Sequence, residues 1–153
     1  MIHLANTLQR IVDGAVPRLR AIPESRVSRD RGAGKWTGKE ILGHLIDSAA
    51  NNQQRFVRAR EENPLTFPAY DQNLWVDAHG YRTRPWLELV VIWGAYNAQV
   101  AQVMASTSAT QGATRCLVGN NEPMTLEALM EDYIRHMEHH LAQILPIEGA
   151  ART

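Results

Sequence analysis

The stretch KWTGKEILGHLIDSAANNQQRF, residues 35–56, carries the clearest helix signal in the chain. Thr37 followed three residues later by Glu40 predicts a capping box. In that motif the hydroxyl accepts the Glu40 amide while the carboxylate reaches back to the Thr37 amide. Trp36 before the cap and Ile41 inside the helix occupy the positions of a hydrophobic staple. Ile41, Leu42, Leu45, Ile46, Ala49 and Phe56 then recur at helical spacing, which turns one apolar stripe toward a core. The pattern predicts a helix from Thr37 to about Glu61, with Pro64 ending whatever is still helical.

Working outward, three more stretches show the same period. Leu8, Ile11, Val12, Ala15, Leu19 and Ile22 form an N-terminal stripe, in which Pro17 should kink the helix or begin a new turn. Trp86, Leu89, Val90, Trp93, Val100 and Val103 predict a helix that starts near Pro85 and ends near Ser106. Leu126, Leu129, Met130, Tyr133, Met137, Leu141 and Ile144 predict a last helix, capped by Thr125 and followed by Pro146 and Gly149. Between them, residues 64–84 read as irregular, with Asp71 able to cap a short turn bearing Leu74 and Trp75. Residues 114–118, followed by Gly119-Asn120-Asn121, read as a strand-like stretch and turn. Four amphipathic helices, each with one stripe to bury, predict an all-α four-helix bundle.

The chain has 153 residues, 44% of them hydrophobic and 21% charged, which fits one globular domain over residues 1–153. Sixteen basic residues balance sixteen acidic ones, so no broad electrostatic footprint for nucleic acid or an anionic membrane is expected. Cys116 is the single cysteine, which excludes an internal disulfide framework and Cys-rich zinc sites. Met1 to Leu19 is interrupted by Arg10, Asp13 and Arg18 and does not read as a signal peptide. No apolar run reaches the roughly 18 residues of a spanning helix. A cytoplasmic location is the expectation.

Six histidines are present, and His136, His139 and His140 share the motif HMEHH in the last helix. An i, i+4 pair such as His136 and His140 rises about 6 Å and turns only about 40°, so both imidazoles project from one face. That is chelating geometry, as in HExxH sites. No glutamate follows His136 directly, so the zincin protease reading fails at its general base. His139 turns about 100° from His140 and reads as a neighbour. His44, on the flank of the second helix's stripe, is the natural third nitrogen for an open three-histidine site, although spacing along the chain does not by itself bring it to the pair. His3 and His79 have no partner at ligand spacing and read as incidental.

Three blocks in order, KWTGKEILGHLIDSAANNQQRF, PAYDQNLWV (residues 68–76) and YIRHMEHHLAQI (residues 133–144), resemble the DinB-like superfamily, in particular its YfiT-type metal-dependent branch. The resemblance spans about residues 35–145. It implies a four-helix bundle holding a divalent metal, commonly zinc or nickel, on three histidines, which fall here on His44, His136 and His140. It also implies a homodimer and a small-molecule substrate, possible partners including a low-molecular-weight thiol. The chain departs from that pattern in being shorter before its first helix and in carrying Ala69 between Pro68 and Tyr70.

Around these ligands, Asp47 stands one turn after His44, placed either to orient an imidazole or to face solvent. Arg55 could meet an anionic substrate group or form a surface salt bridge. Tyr70, Asp71 and Trp75 could line a pocket mouth, with Trp75 equally able to plug the bundle. Glu138 is the acid nearest the histidine pair in HMEHH, and at about 200° from His136 it points away. Without a positioned base, a thiol is the expected nucleophile, because coordination alone can produce a thiolate near neutral pH. The family resemblance implies thiol-dependent transferases among the relatives, so the leading expectation is a thiol S-transferase-like or other metal-dependent enzyme. A hydrolase using metal-bound water is the first alternative, and a non-catalytic metal-binding or stress-response module the second.

Overall fold

The computed structural model describes residues 1–145, so the expected helix-ending Pro146 and Gly149 lie outside the described residues. In chain order the elements are α1 (Ile2–Arg20), a single turn α2 (Glu24–Val27), α3 (Gly38–Arg58), β1 (Leu65–Phe67) and α4 (Gln72–His79). A 3-10 turn (Tyr81–Thr83), α5 (Trp86–Ala105), a single turn α6 (Ala109–Gly112), β2 (Arg115–Val118), β3 (Met124–Thr125) and α7 (Leu126–Ile144) follow. The long helices α1, α3, α5 and α7 form a ring: α1 packs on α5 and α7, and α3 packs on the same two. Each stripe is thereby shared by two neighbours, and the core of Leu8, Leu19, Leu42, Leu45, Phe56, Trp86, Leu89, Trp93, Met130 and Met137 is closed to solvent. The expected four-helix bundle is the observed fold.

The start of α3 is the capping box the sequence predicts. Thr37 Oγ1 accepts the Glu40 amide, and Glu40 Oε2 accepts the Thr37 amide at 2.8 Å. Such a cap is worth about 1 kcal/mol, and here it fixes the rotation of the helix that carries His44. The helix ends at Arg58 rather than Glu61, and residues after it turn through hydrogen bonds from Arg60 and Glu61 back to the Val57 and Arg58 carbonyls. Pro17 lies inside α1 without ending it. Buried Leu8, Val12, Ala15 and Leu19 flank it on one stripe, so packing carries the helix through the missing amide.

The linker between α3 and α5 is more ordered than its sequence suggests. Asp71 caps α4, its Oδ1 accepting the amides of Asn73 and Leu74. Gly80 closes that helix at φ 60°, a conformation favouring glycine. β1 lies parallel to β2, pairing Leu65 with Cys116 and Phe67 with Val118, and β2 lies antiparallel to β3. This small three-stranded sheet brings segments some 50 residues apart to one end of the bundle, beside α3 and α7.

A second close approach sets the face of α3. A Cβ placed on Gly43 would stand 2.1 Å from Cδ2 of Tyr81, so only glycine lets the tyrosine ring lie on the helix. From there the Tyr81 hydroxyl donates to Asp47 Oδ1 at 2.6 Å, one turn beyond His44.

Candidate metal centre

His44 projects from α3, and His136 and His140 project from α7, toward a common point. One ring nitrogen from each lies within 4.8 Å of the others, and His44 Nε2 stands 3.1 Å from His136 Nε2. The ring centroids are 4.6 to 5.0 Å apart. Trp36, the residue before the α3 cap, lies 4.9 Å from the His44 ring and 6.4 Å from the His140 ring. The capping motif thus also supplies an indole wall.

Burial holds the cluster neutral. It pulls His44 down to about 3, with help from the neighbouring His136 and His140, and pulls His140 down to about 4, again aided by His136 and by His139. His136 is lowered by burial too, against the opposing charge of Asp132. Neutral imidazoles are the form that binds metal. Two nitrogens on a tetrahedral zinc stand about 3.3 Å apart, from bonds of about 2.0–2.1 Å. The closest pair here, at 3.1 Å, is near that spacing, and three neutral imidazoles suit a divalent transition-metal ion. The buried His44 Nδ1 has no hydrogen-bond partner. His139 is exposed and outside the cluster, as its angle on the helix predicts.

Asp47 corrects one expectation. Its carboxylate does not reach an imidazole of the cluster; it accepts from Tyr81 and pairs with His79 Nδ1 at 3.1 Å. Burial pushes this carboxyl up, against the Tyr81 hydrogen bond and the His79 charge. His79, expected to be incidental, is therefore the partner of a buried acid. Asp71 lies at the surface with its carboxylate capping α4, and does not line the cavity beside the histidines. Trp75 packs at a tilt against Tyr70 at 5.1 Å and edge-on against His79 at 5.8 Å. It lines an adjoining groove with Phe67, Pro68 and Tyr96, while Tyr70 lines both that groove and the cavity.

The cavity beside the histidines has a volume of about 210 Å³. One wall is a stripe of α3: His44, Ser48, Asn52 and Arg55. The facing wall is a stripe of α7: Leu129, Asp132, Tyr133 and His136. The sheet end contributes Cys116, Val118 and Met124. Cys116 is buried and its thiol is pushed up by desolvation, which opposes a nucleophilic role.

Two wall residues change the chemistry expected from sequence. Arg55 is 7% exposed, so it is no surface salt bridge. Asp132 stands one turn before His136 on the same face and pairs with Arg135 at 3.0 Å. It is an acid beside the histidines other than Glu138, at an i−4 spacing from His136 that the sequence displays.

The model of the DinB superfamily matches residues 7–144. Among curated sequences, the chain is 28% identical over 113 residues to YfiT of Bacillus subtilis, which is named provisionally as a metal-dependent hydrolase, covering 72% of this chain and 63% of that protein. It is 27% identical over 112 residues to a similarly named protein of Bacillus licheniformis, covering 72% of this chain and 64% of the relative. A third such relative, from Oceanobacillus iheyensis, is 27% identical, with coverage of 73% and 64%. The chain thus spans less than two thirds of the length of these relatives. The solved structure of Bacillus subtilis YfiT, described as having an unusual four-helix bundle topology, superposes with a TM-score of 0.76 at 20% identity, over 92% of this chain and 83% of that one.

Proposed function

This chain belongs to the DinB superfamily, and from that premise we propose that it is a metal-dependent enzyme whose divalent ion, zinc or nickel, is held by His44, His136 and His140. The convergence of three neutral ring nitrogens within 4.8 Å carries the reading. An ion there would supply Lewis acidity and lower the pKa of a water or thiol bound to it. The rest is done by the chain. Trp36 shields one side of the cluster, the α3 and α7 stripes confine a small substrate, and Asp132 is placed to take a proton from the nucleophile.

Asp132 is the observation that puts hydrolysis ahead of thiol transfer. The preference for a thiol rests on the want of a base, and Asp132, half exposed and paired with Arg135 but in the cavity wall one turn from His136, is the residue we assign that role. Names of metal-dependent hydrolases among the relatives support the same order. Thiol transfer remains the second reading, supported by the apolar wall of Val118, Met124 and Leu129, which suits a soft sulfur nucleophile and its carbon chain.

The two are separated by assaying zinc-loaded full-length protein on 4-nitrophenyl esters without thiol, and on monochlorobimane with added cysteine or glutathione. Thiol-independent ester hydrolysis that falls about 100-fold in Asp132→Asn is expected, the usual scale for a lost general base. Thiol-dependent consumption of the electrophile with no ester hydrolysis would put transfer first.

A further inference from the structure

Arg55 is a buried cation with little to hold it. Its polar partners are the Asn52 Oδ1, 3.2 Å from Nη1, and the Pro68 carbonyl, 3.5 Å from Nη2. Its guanidinium also lies 5.4 Å from the Phe67 ring centroid. The Nε atom is buried with no partner, and no carboxylate among the described residues is recorded in an ion pair with the side chain. A guanidinium offers five N–H donors in a planar fork, so most of its capacity is unused. An unpaired buried charge is strongly unfavourable, and such a group calls for an explanation.

Its position supplies one. Arg55 lines the same cavity as His44 and His136. Long side chains on a helix lean toward its N-terminus, and the bond to Asn52 shows this one doing so. The guanidinium therefore sits at the level of Asn52, eight residues beyond His44, about 12 Å along the helix axis. Resting on the reading of the histidine cluster as the reacting centre, we propose that Arg55 binds a carboxylate of the substrate. The substrate class is then a small carboxylic acid whose reacting bond lies at the histidine end and whose carboxylate lies several bonds away.

A carboxylate suits the site better than a phosphate. The planar fork matches it with two parallel hydrogen bonds, and one negative charge neutralises one arginine. Glu122 and Asp132 line the same cavity, and they would repel a dianion more than a single charge.

The test is calorimetric titration of zinc-loaded full-length protein with adipate, a six-carbon dicarboxylate, and with its uncharged diamide. The wild type should prefer adipate by about tenfold or more, the scale of a charged hydrogen bond. Arg55→Gln should lose most of that preference while retaining its zinc. An Arg55→Gln protein that keeps the full preference would overturn the proposal, because zinc alone would then be reading the carboxylate. Should Arg55→Gln fail to fold, the Arg55 Nε–H resonance of the wild type decides: it should shift with adipate and not with the diamide, and a resonance indifferent to both overturns the assignment. If zinc is not retained by the wild type, the metal reading fails, and the same titration on the metal-free full chain still tests Arg55 separately.

Discussion

His44 Nε2 and His136 Nε2 face each other at 3.1 Å from helices whose contributing residues are 92 positions apart in the chain. A proton added to either ring would place a positive charge beside two other imidazoles in a buried setting. The cluster therefore resists protonation, and the resistance is a property of the fold that can be measured without any metal.

The first prediction follows from that resistance. In the unfolded chain histidines titrate near their ordinary value of about 6.5, whereas in the fold His44 is pulled to about 3 and His140 to about 4. Between those values the unfolded state binds more protons, so stability rises with pH. Metal-free protein should lose stability as pH falls below about 6.5, with the contribution of these two residues levelling off below about 3. Thermal melts at pH 7.5, 5.5 and 4.5 should show the decline, and His44→Ala should flatten it. Parallel declines in wild type and His44→Ala would mean that His44 is not held below its ordinary pKa.

Two glycines predict opposite outcomes for one substitution. Gly43→Ala would drive a methyl into the Tyr81 ring, 2.1 Å from Cδ2, and should destabilise by about 1–3 kcal/mol, the cost of overpacking. It should also disturb the Tyr81–Asp47 hydrogen bond beside His44. Gly14→Ala, in the exposed middle of α1 with nothing within 4 Å of the added carbon, should stabilise by about 0.5–1 kcal/mol. Denaturant melts of the two variants give the signs directly. A neutral Gly43→Ala would show that Tyr81 is free to move.

Features encoded within a few residues were legible in the sequence, and those that depend on chain-distant partners were not. Thr37 and Glu40 announce the start of α3 because a cap is local, and the i, i+4 spacing of His136 and His140 is a property of one helix. The α3 stripe places His44 on its flank as a candidate, and only the resemblance of the three sequence blocks joins it to the pair. β1 has no signal of its own, because Leu65-Thr66-Phe67 is too short to show alternation and is ordered by pairing with β2. Nothing nearby in sequence reveals Tyr81 and His79 closing over Asp47, so its spacing alone points it to His44 or solvent. The burial of Arg55 likewise depends on where the chain around Phe67 and Pro68 returns. Asp132 is different: its i, i+4 spacing from His136 places it on the same helical face within one local segment.

Metal content of untagged full-length protein, measured by elemental mass spectrometry after reconstitution with zinc or nickel and removal of excess, tests the account at its centre. Three imidazoles at this spacing predict about one equivalent per chain. That equivalent should be lost in His44→Ala, His136→Ala or His140→Ala and kept in His139→Ala. A wild type that retains neither metal, or a His139→Ala that loses it while His136→Ala keeps it, would contradict the three-histidine centre.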